Sequence, residues 1–130
     1  MRPRIAAGII LIVAVAALLP LRAGSSNSTA VARPRVITLE ARGMAFRANG
    51  IGGANPVLRL RAGEEVKVVL RNREPGMIHD FSVPSLKVAI GELKTDQDGE
   101  VRFRAPSTPG RHEYLCRPHA VMMKGTIEVE

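Results

Sequence analysis

The chain has 130 residues and a formal net charge of +7, with 45% apolar, 24% charged and only 3% aromatic side chains, a single Cys and no Trp. That length has room for one domain of ordinary size and little else. The charge invites a nucleic-acid partner, but residues 1–35 hold five Arg and no acid, leaving 14 basic against 12 acidic side chains in residues 36–130; one Tyr and three Phe are also too few stacking platforms, so no nucleic acid is expected.

Met1-Arg-Pro-Arg4 opens the chain and is followed by an uncharged apolar run over residues 5–19, then Pro20. A basic start and a run of this length have the form of an export signal, and the run falls short of the ~20 residues that cross a bilayer comfortably. Cleavage is therefore expected over anchoring. Ala23 lies close to the run but has Leu21 two positions before it, whereas Ala30 and Ala32 form an A-x-A pattern farther downstream. Residues 1–23 are read as signal peptide or membrane anchor. If the segment is retained, residues 5–21 tether the protein with Arg2 and Arg4 on the inner side. In either case the protein is exported, to the periplasm or the outer face of the cytoplasmic membrane. Residues 24–35, rich in Ser, Asn, Ala and Arg with Pro34, read as a flexible linker to a domain over residues 36–130.

From Val36 onward the apolar period becomes two. Strands are predicted over 36–41, 44–47, 57–61, 65–71, 78–83, 86–90, 100–104, 111–116 and 125–129, and no stretch of helical spacing survives past Leu21. Gly52-Gly53, Ala62-Gly63, Pro75-Gly76, Asp98-Gly99 and Pro109-Gly110 punctuate them as turns. Seven to nine short strands in about 95 residues imply an all-β, two-sheet antiparallel sandwich with Greek-key crossings. Alternation nominates Val66, Val68, Leu70, Val101, Phe103, Ile127 and Val129 for its core and turns Arg59, Arg61, Arg102 and Arg104 to solvent.

The tail carries the chemistry. In an exported chain a lone cysteine has no internal disulfide partner, so Cys116 is a free thiol or a ligand. His119, Met122 and Met123 follow it closely. Thiolate, imidazole and thioether form a soft donor set that suits copper, and His79 upstream would complete the two-His, one-Cys, weak-Met complement of a blue-copper centre. A zinc site built on one Cys and two His is conceivable, but it would leave the Met idle. Pro118 has no N–H and a fixed φ, so it stiffens the turn that aims His119 back toward Cys116. His112 is read as structural, and Met44 and Met77 as packing near the site.

These residues resemble the cupredoxins, a family that includes plastocyanin, amicyanin, pseudoazurin and azurin. The resemblance covers residues 36–130 and rests on Met44-Ala-Phe46, Ala62-Gly63-Glu-Glu-Val66, Asn72 ahead of His79-Asp-Phe81-Ser-Val83, Pro109-Gly110 leading into Tyr114-Leu-Cys116, and the closing loop. It implies His79, Cys116 and His119 as equatorial copper ligands and Met123 as the axial one. The loop is a hybrid. Two residues separate Cys116 from His119, as in plastocyanin and amicyanin, while three separate His119 from Met123, as in azurin. Amicyanin's spacing would select Met122 instead; Met123 is preferred because Met123-Lys-Gly125 leads into the last strand in azurin's register. Asp80 stands where plastocyanin and azurin have an Asn that braces the Cys loop, so it either braces likewise or adds charge that lowers the potential. Ile78 replaces azurin's Gly, which argues against a fifth, carbonyl ligand.

The resemblance implies one type 1 copper ion and a non-enzymatic carrier of single electrons, and a monomer is expected. Its redox partner proteins would dock weakly and transiently near His119, over Pro118, Ala120, Val121, Met122, Gly76 and Met77, because redox encounters use small interfaces. An extracytoplasmic copper carrier or metallochaperone using the same ligands is the alternative. Three histidines cannot supply a blue site and a multinuclear copper cluster within one chain unless a partner contributes ligands, which argues against an oxidase or reductase.

Overall fold

The computed structural model describes residues 33–130. The segment read as signal peptide or anchor, and the linker up to residue 32, lie outside the described residues. All nine predicted strands form: β1 (Arg35–Ala41), β2 (Phe46–Ala48), β3 (Leu58–Leu60), β4 (Glu65–Asn72), β5 (His79–Val83), β6 (Val88–Leu93), β7 (Asp98–Arg104), β8 (Gly110–Leu115) and β9 (Lys124–Val129). Two single 3₁₀ turns, Pro84–Leu86 and Arg117–His119, are the only helical segments among the described residues. Strand β1 starts at Arg35, the last residue of the stretch read as linker.

The strands make two sheets, ordered β2-β1-β4-β7 and β3-β9-β8-β5-β6. The sandwich is not wholly antiparallel, which corrects the sequence expectation. β1 runs parallel to β4 over seven paired residues, and β3 runs parallel to β9. The reason lies in the crossings. After β2 the chain passes to the other sheet as β3 and returns as β4, which reaches β1 by a long connection rather than a tight hairpin, as parallel neighbours require.

Alternation places the core as predicted on β4, where Val66, Val68 and Leu70 are buried, and on β9, where Ile127 and Val129 are buried. Val101 and Phe103 pack against that core but are only half-buried, because β7 is an edge strand. Three aromatic rings fill the middle of the sandwich: Phe46 meets Phe81 at 6.0 Å and Tyr114 at 5.4 Å, both edge-on, while Phe81 and Tyr114 stack at 5.5 Å. Such pairs add ~0.5–1.5 kcal/mol beyond their buried area. The Tyr114 hydroxyl is satisfied by donating to the Pro56 carbonyl at 2.6 Å.

Candidate metal centre

His79 opens β5, an interior strand with all five residues buried. Its pairing with β6 is irregular at this point: His79 faces Leu93 while Phe81 faces Ile90. Bulges of this kind re-aim side chains next to functional sites. Cys116 follows directly on β8, and the turn Arg117–His119 then folds the chain back toward it. Main-chain bonds close the loop, with His119 N–H donating to the Cys116 carbonyl at 3.0 Å, Met123 N–H to the His119 carbonyl at 2.9 Å, and Cys116 N–H to the Met123 carbonyl at 3.0 Å.

The sulfur and two imidazole nitrogens converge. Cys116 Sγ lies 3.7 Å from His79 Nδ1 and 3.5 Å from His119 Nδ1, and the three candidate donor atoms lie within 4.8 Å of one another. An ion with bonds of about 2.3 Å to sulfur and about 2.0 Å to nitrogen, at angles of 110–120°, needs a sulfur–nitrogen span of about 3.5–3.8 Å. Both observed spans fit it. Both histidines also turn the same nitrogen, Nδ1, to the sulfur. Met123 is wholly buried and reaches the loop through its main chain, whereas Met122 is 53% exposed. His112 lies elsewhere, with Nδ1 2.9 Å from Ser85 Oγ.

Burial sets the electrostatics. It pushes the Cys116 thiol up, an effect opposed by the Asp80 main-chain N–H that donates to Sγ at 3.5 Å. Burial also lowers His79, and the proximity of His119 lowers it further, while Glu74 pulls the other way. Each shift disfavours charge on a group left without an ion.

Four polar side chains hold the loops, and the sequence patterns single out only two of them. Asn72, fully buried, donates to the carbonyls of Met77 at 2.8 Å and Leu93 at 2.9 Å and accepts from Glu74 N–H at 2.9 Å, which shapes the turn before His79. Asp80 accepts from Arg117 N–H at 2.7 Å and Nε at 2.6 Å, so it braces the Cys116 loop. The two not foreseen are Glu74 and Asn55. Glu74 Oε2 accepts from Met44 N–H at 2.8 Å and stands 3.5 Å from His79 Nε2, which has no hydrogen-bond partner among the described residues. Asn55 donates to the Met122 carbonyl at 2.8 Å while exchanging bonds with Phe46, tying the Met loop to β2. An Asn in a run of turn residues with φ near +50° has a signature, but nothing in it names Met122 as partner. Exposed apolar side chains lie next to the candidate ligands in the chain: Val121 is 90% exposed and Met122 53%, two and three residues after half-buried His119, and Ile78, just before His79, is 42% exposed.

No family model matches the sequence, and no curated protein matches it. Solved structures do. Dithionite-reduced auracyanin from Roseiflexus castenholzii aligns with a TM-score of 0.60 and 16% identity, over 74% of this chain and 97% of that protein. Rusticyanin from Thiobacillus ferrooxidans gives 0.55 and 25%, over 73% and 76% of the two chains. A copper-containing nitrite reductase from Thermus scotoductus gives 0.58 and 23%, covering 75% of this chain but 28% of the enzyme. The described residues, nine strands in two sheets joined by these crossings and superposing on these proteins, have the cupredoxin fold.

Proposed function

We propose that this chain is a type 1 copper protein that shuttles single electrons between redox partners outside the cytoplasm. The observation that carries the reading is the convergence of His79 Nδ1, Cys116 Sγ and His119 Nδ1 at spans that fit one ion. Thiolate sulfur with imidazole is the donor set that suits copper, and it supplies a one-electron Cu(II)/Cu(I) couple when the ion is bound. Met123 is the proposed axial ligand; its burial beside the loop supports that choice, and the exposure of Met122 weighs against the alternative.

Each residue has a distinct part. Cys116, buried with one N–H donor on its sulfur, offers the strong covalent bond that colours such sites. His79 is wholly buried and held in a paired strand, so it fixes geometry. His119 is half-buried and the apolar Val121, Met122 and Ile78 near it in the chain or next to His79 are exposed, so its ring edge is the route for electrons and these side chains form a weak docking surface. The loop bonds and the braces at Asn72, Asp80 and Asn55 restrict movement on a change of charge, which keeps the reorganisation cost low. A carrier rather than an enzyme is the reading. The apolar run at residues 5–19 supports a place outside the cytoplasm.

The test is addition of Cu(II) to the purified protein, with a Cys116→Ser control. An intense visible charge-transfer band absent from the control is expected, together with a reversible potential. No band, or one that survives in the control, would sink the reading. A colourless complex that gives up copper readily would favour the copper carrier.

A further inference from the structure

We infer that Arg117 is a positioning residue that holds the Cys116 loop closed by compensating the buried charge of Asp80, the two side chains acting as one unit. Asp80 is only 1% exposed. Its main-chain N–H donates to Cys116 Sγ, and its two carboxylate oxygens take the main-chain N–H and the Nε of Arg117. One residue of β5 thus grips the loop at three points on either side of the bond that joins Cys116 to Arg117.

A brace on the main chain alone needs only an acceptor, which a neutral amide provides. A carboxylate buried in that position needs more: without a cation its desolvation is not offset. Arg117 is the one cation paired with it among the described residues, and its planar fork, unlike an ammonium, presents donors in carboxylate geometry. The Arg117 side chain is 59% exposed, so it lies over Asp80 from the solvent side. Truncating it leaves a bare carboxylate one residue from His79 and in contact with the Cys116 loop. Water must then reach Asp80, and the loop is the part that opens. Removing both charges together leaves the amide brace and no reason to open.

The consequence for the ligands rests on the copper reading; the pairing itself belongs to the metal-free chain and is tested there. The variants are R117M, D80N and D80N/R117M, with R117K for the conservative change. The readout is the rate at which the buried Cys116 thiol of the metal-free protein is alkylated by iodoacetamide, alongside the thermal midpoint. R117M is expected to react at least about tenfold faster than the parent, because Asp80, 1% exposed, is left as a buried carboxylate without its cation, and D80N and D80N/R117M to stay within about threefold. R117K should fall between the parent and R117M. A double variant as reactive as R117M, or an R117M that reacts like the parent, would overturn the inference. If R117M unfolds altogether, recovery of a folded, unreactive protein in D80N/R117M supports the unit and failure to recover it overturns it. A parent with normal thiol coupling but no copper band would fail the functional reading alone.

Discussion

Cys116 and His79 sit in the same buried pocket but are displaced in opposite directions along the pH scale. The thiol is pushed up by burial, so it holds its proton at neutral pH, while the imidazole is pushed down by burial and by its neighbour His119 and is neutral. A metal takes a thiolate and a neutral imidazole. Copper uptake near pH 7 should therefore release one proton from Cys116 and none from His79, measured by calorimetric titration in buffers of different ionisation heat; Cys116→Ser should lose that proton. The sign for stability also follows. Because His79 is lower in the folded protein than its ordinary value of 6.5, its contribution is complete above that value and is lost as pH falls from there toward the depressed one. The metal-free protein should accordingly melt earlier as it is acidified through that range. At the proposed axial position, Met123→Leu should raise the potential, since losing a donor disfavours the more oxidised ion, by at least about 59 mV for a tenfold change in relative affinity. Met122→Leu should leave it nearly unmoved, and equal shifts for the two would refute the assignment. That Cys116, His79 and His119 would converge was legible because thiol and imidazole are few in this chain and share a taste in metals. Glu74 was not. It meets His79 across a turn containing Pro75-Gly76, and nothing in a carboxylate's own sequence context says which buried ring it will face.

At the scale of elements, the hairpin of β8 and β9 carries the ligand loop, so its packing governs the site. Gly125 opens out opposite Tyr114 in that hairpin, and a Cβ there would overlap the Tyr114 ring and hydroxyl. The ring cannot retreat without leaving Phe46 and Phe81 and breaking its bond to Pro56. Gly125→Ala is expected to cost about 1–3 kcal/mol in urea unfolding, the usual scale for forcing atoms into a filled core. Gly110→Ala in the same strand pair is the control: its Cβ would meet nothing nearer than His112 Nε2 at 3.8 Å, and a change under about 1 kcal/mol is expected. Equal costs at both positions would show that Tyr114 does not hold the hairpin. All nine strands were readable because a half-buried strand writes its two faces into alternate residues. Strand direction was not. Whether β1 meets β4 head to head or side by side depends on which sheet the intervening chain enters, and alternation is the same either way.

Across the whole molecule, the three converging donors come from two separate stretches of chain, β5 and the loop between β8 and β9. An ion that binds all three binds the folded chain and not the unfolded one, so loading should raise stability by mass action. At a free concentration one hundred times Kd the gain is about 2.7 kcal/mol. For a domain near one hundred residues that corresponds to a rise of about 10–20 °C in Tm. Calorimetry of loaded and metal-free protein checks it, and an unchanged Tm would mean that the three donors do not share an ion. By itself the sequence determined which thiol and imidazole side chains were at hand, the strand pattern and the apolar core, since each is written in the chemistry or the period of neighbouring residues. Only the tertiary structure decided the two parallel pairings, the carboxylate at His79, the Asn55 tie to the Met loop and the pairing of Asp80 with Arg117. Those join residues far apart in the chain or across a tight turn, and it is the folded geometry, not local preference, that selects their partners.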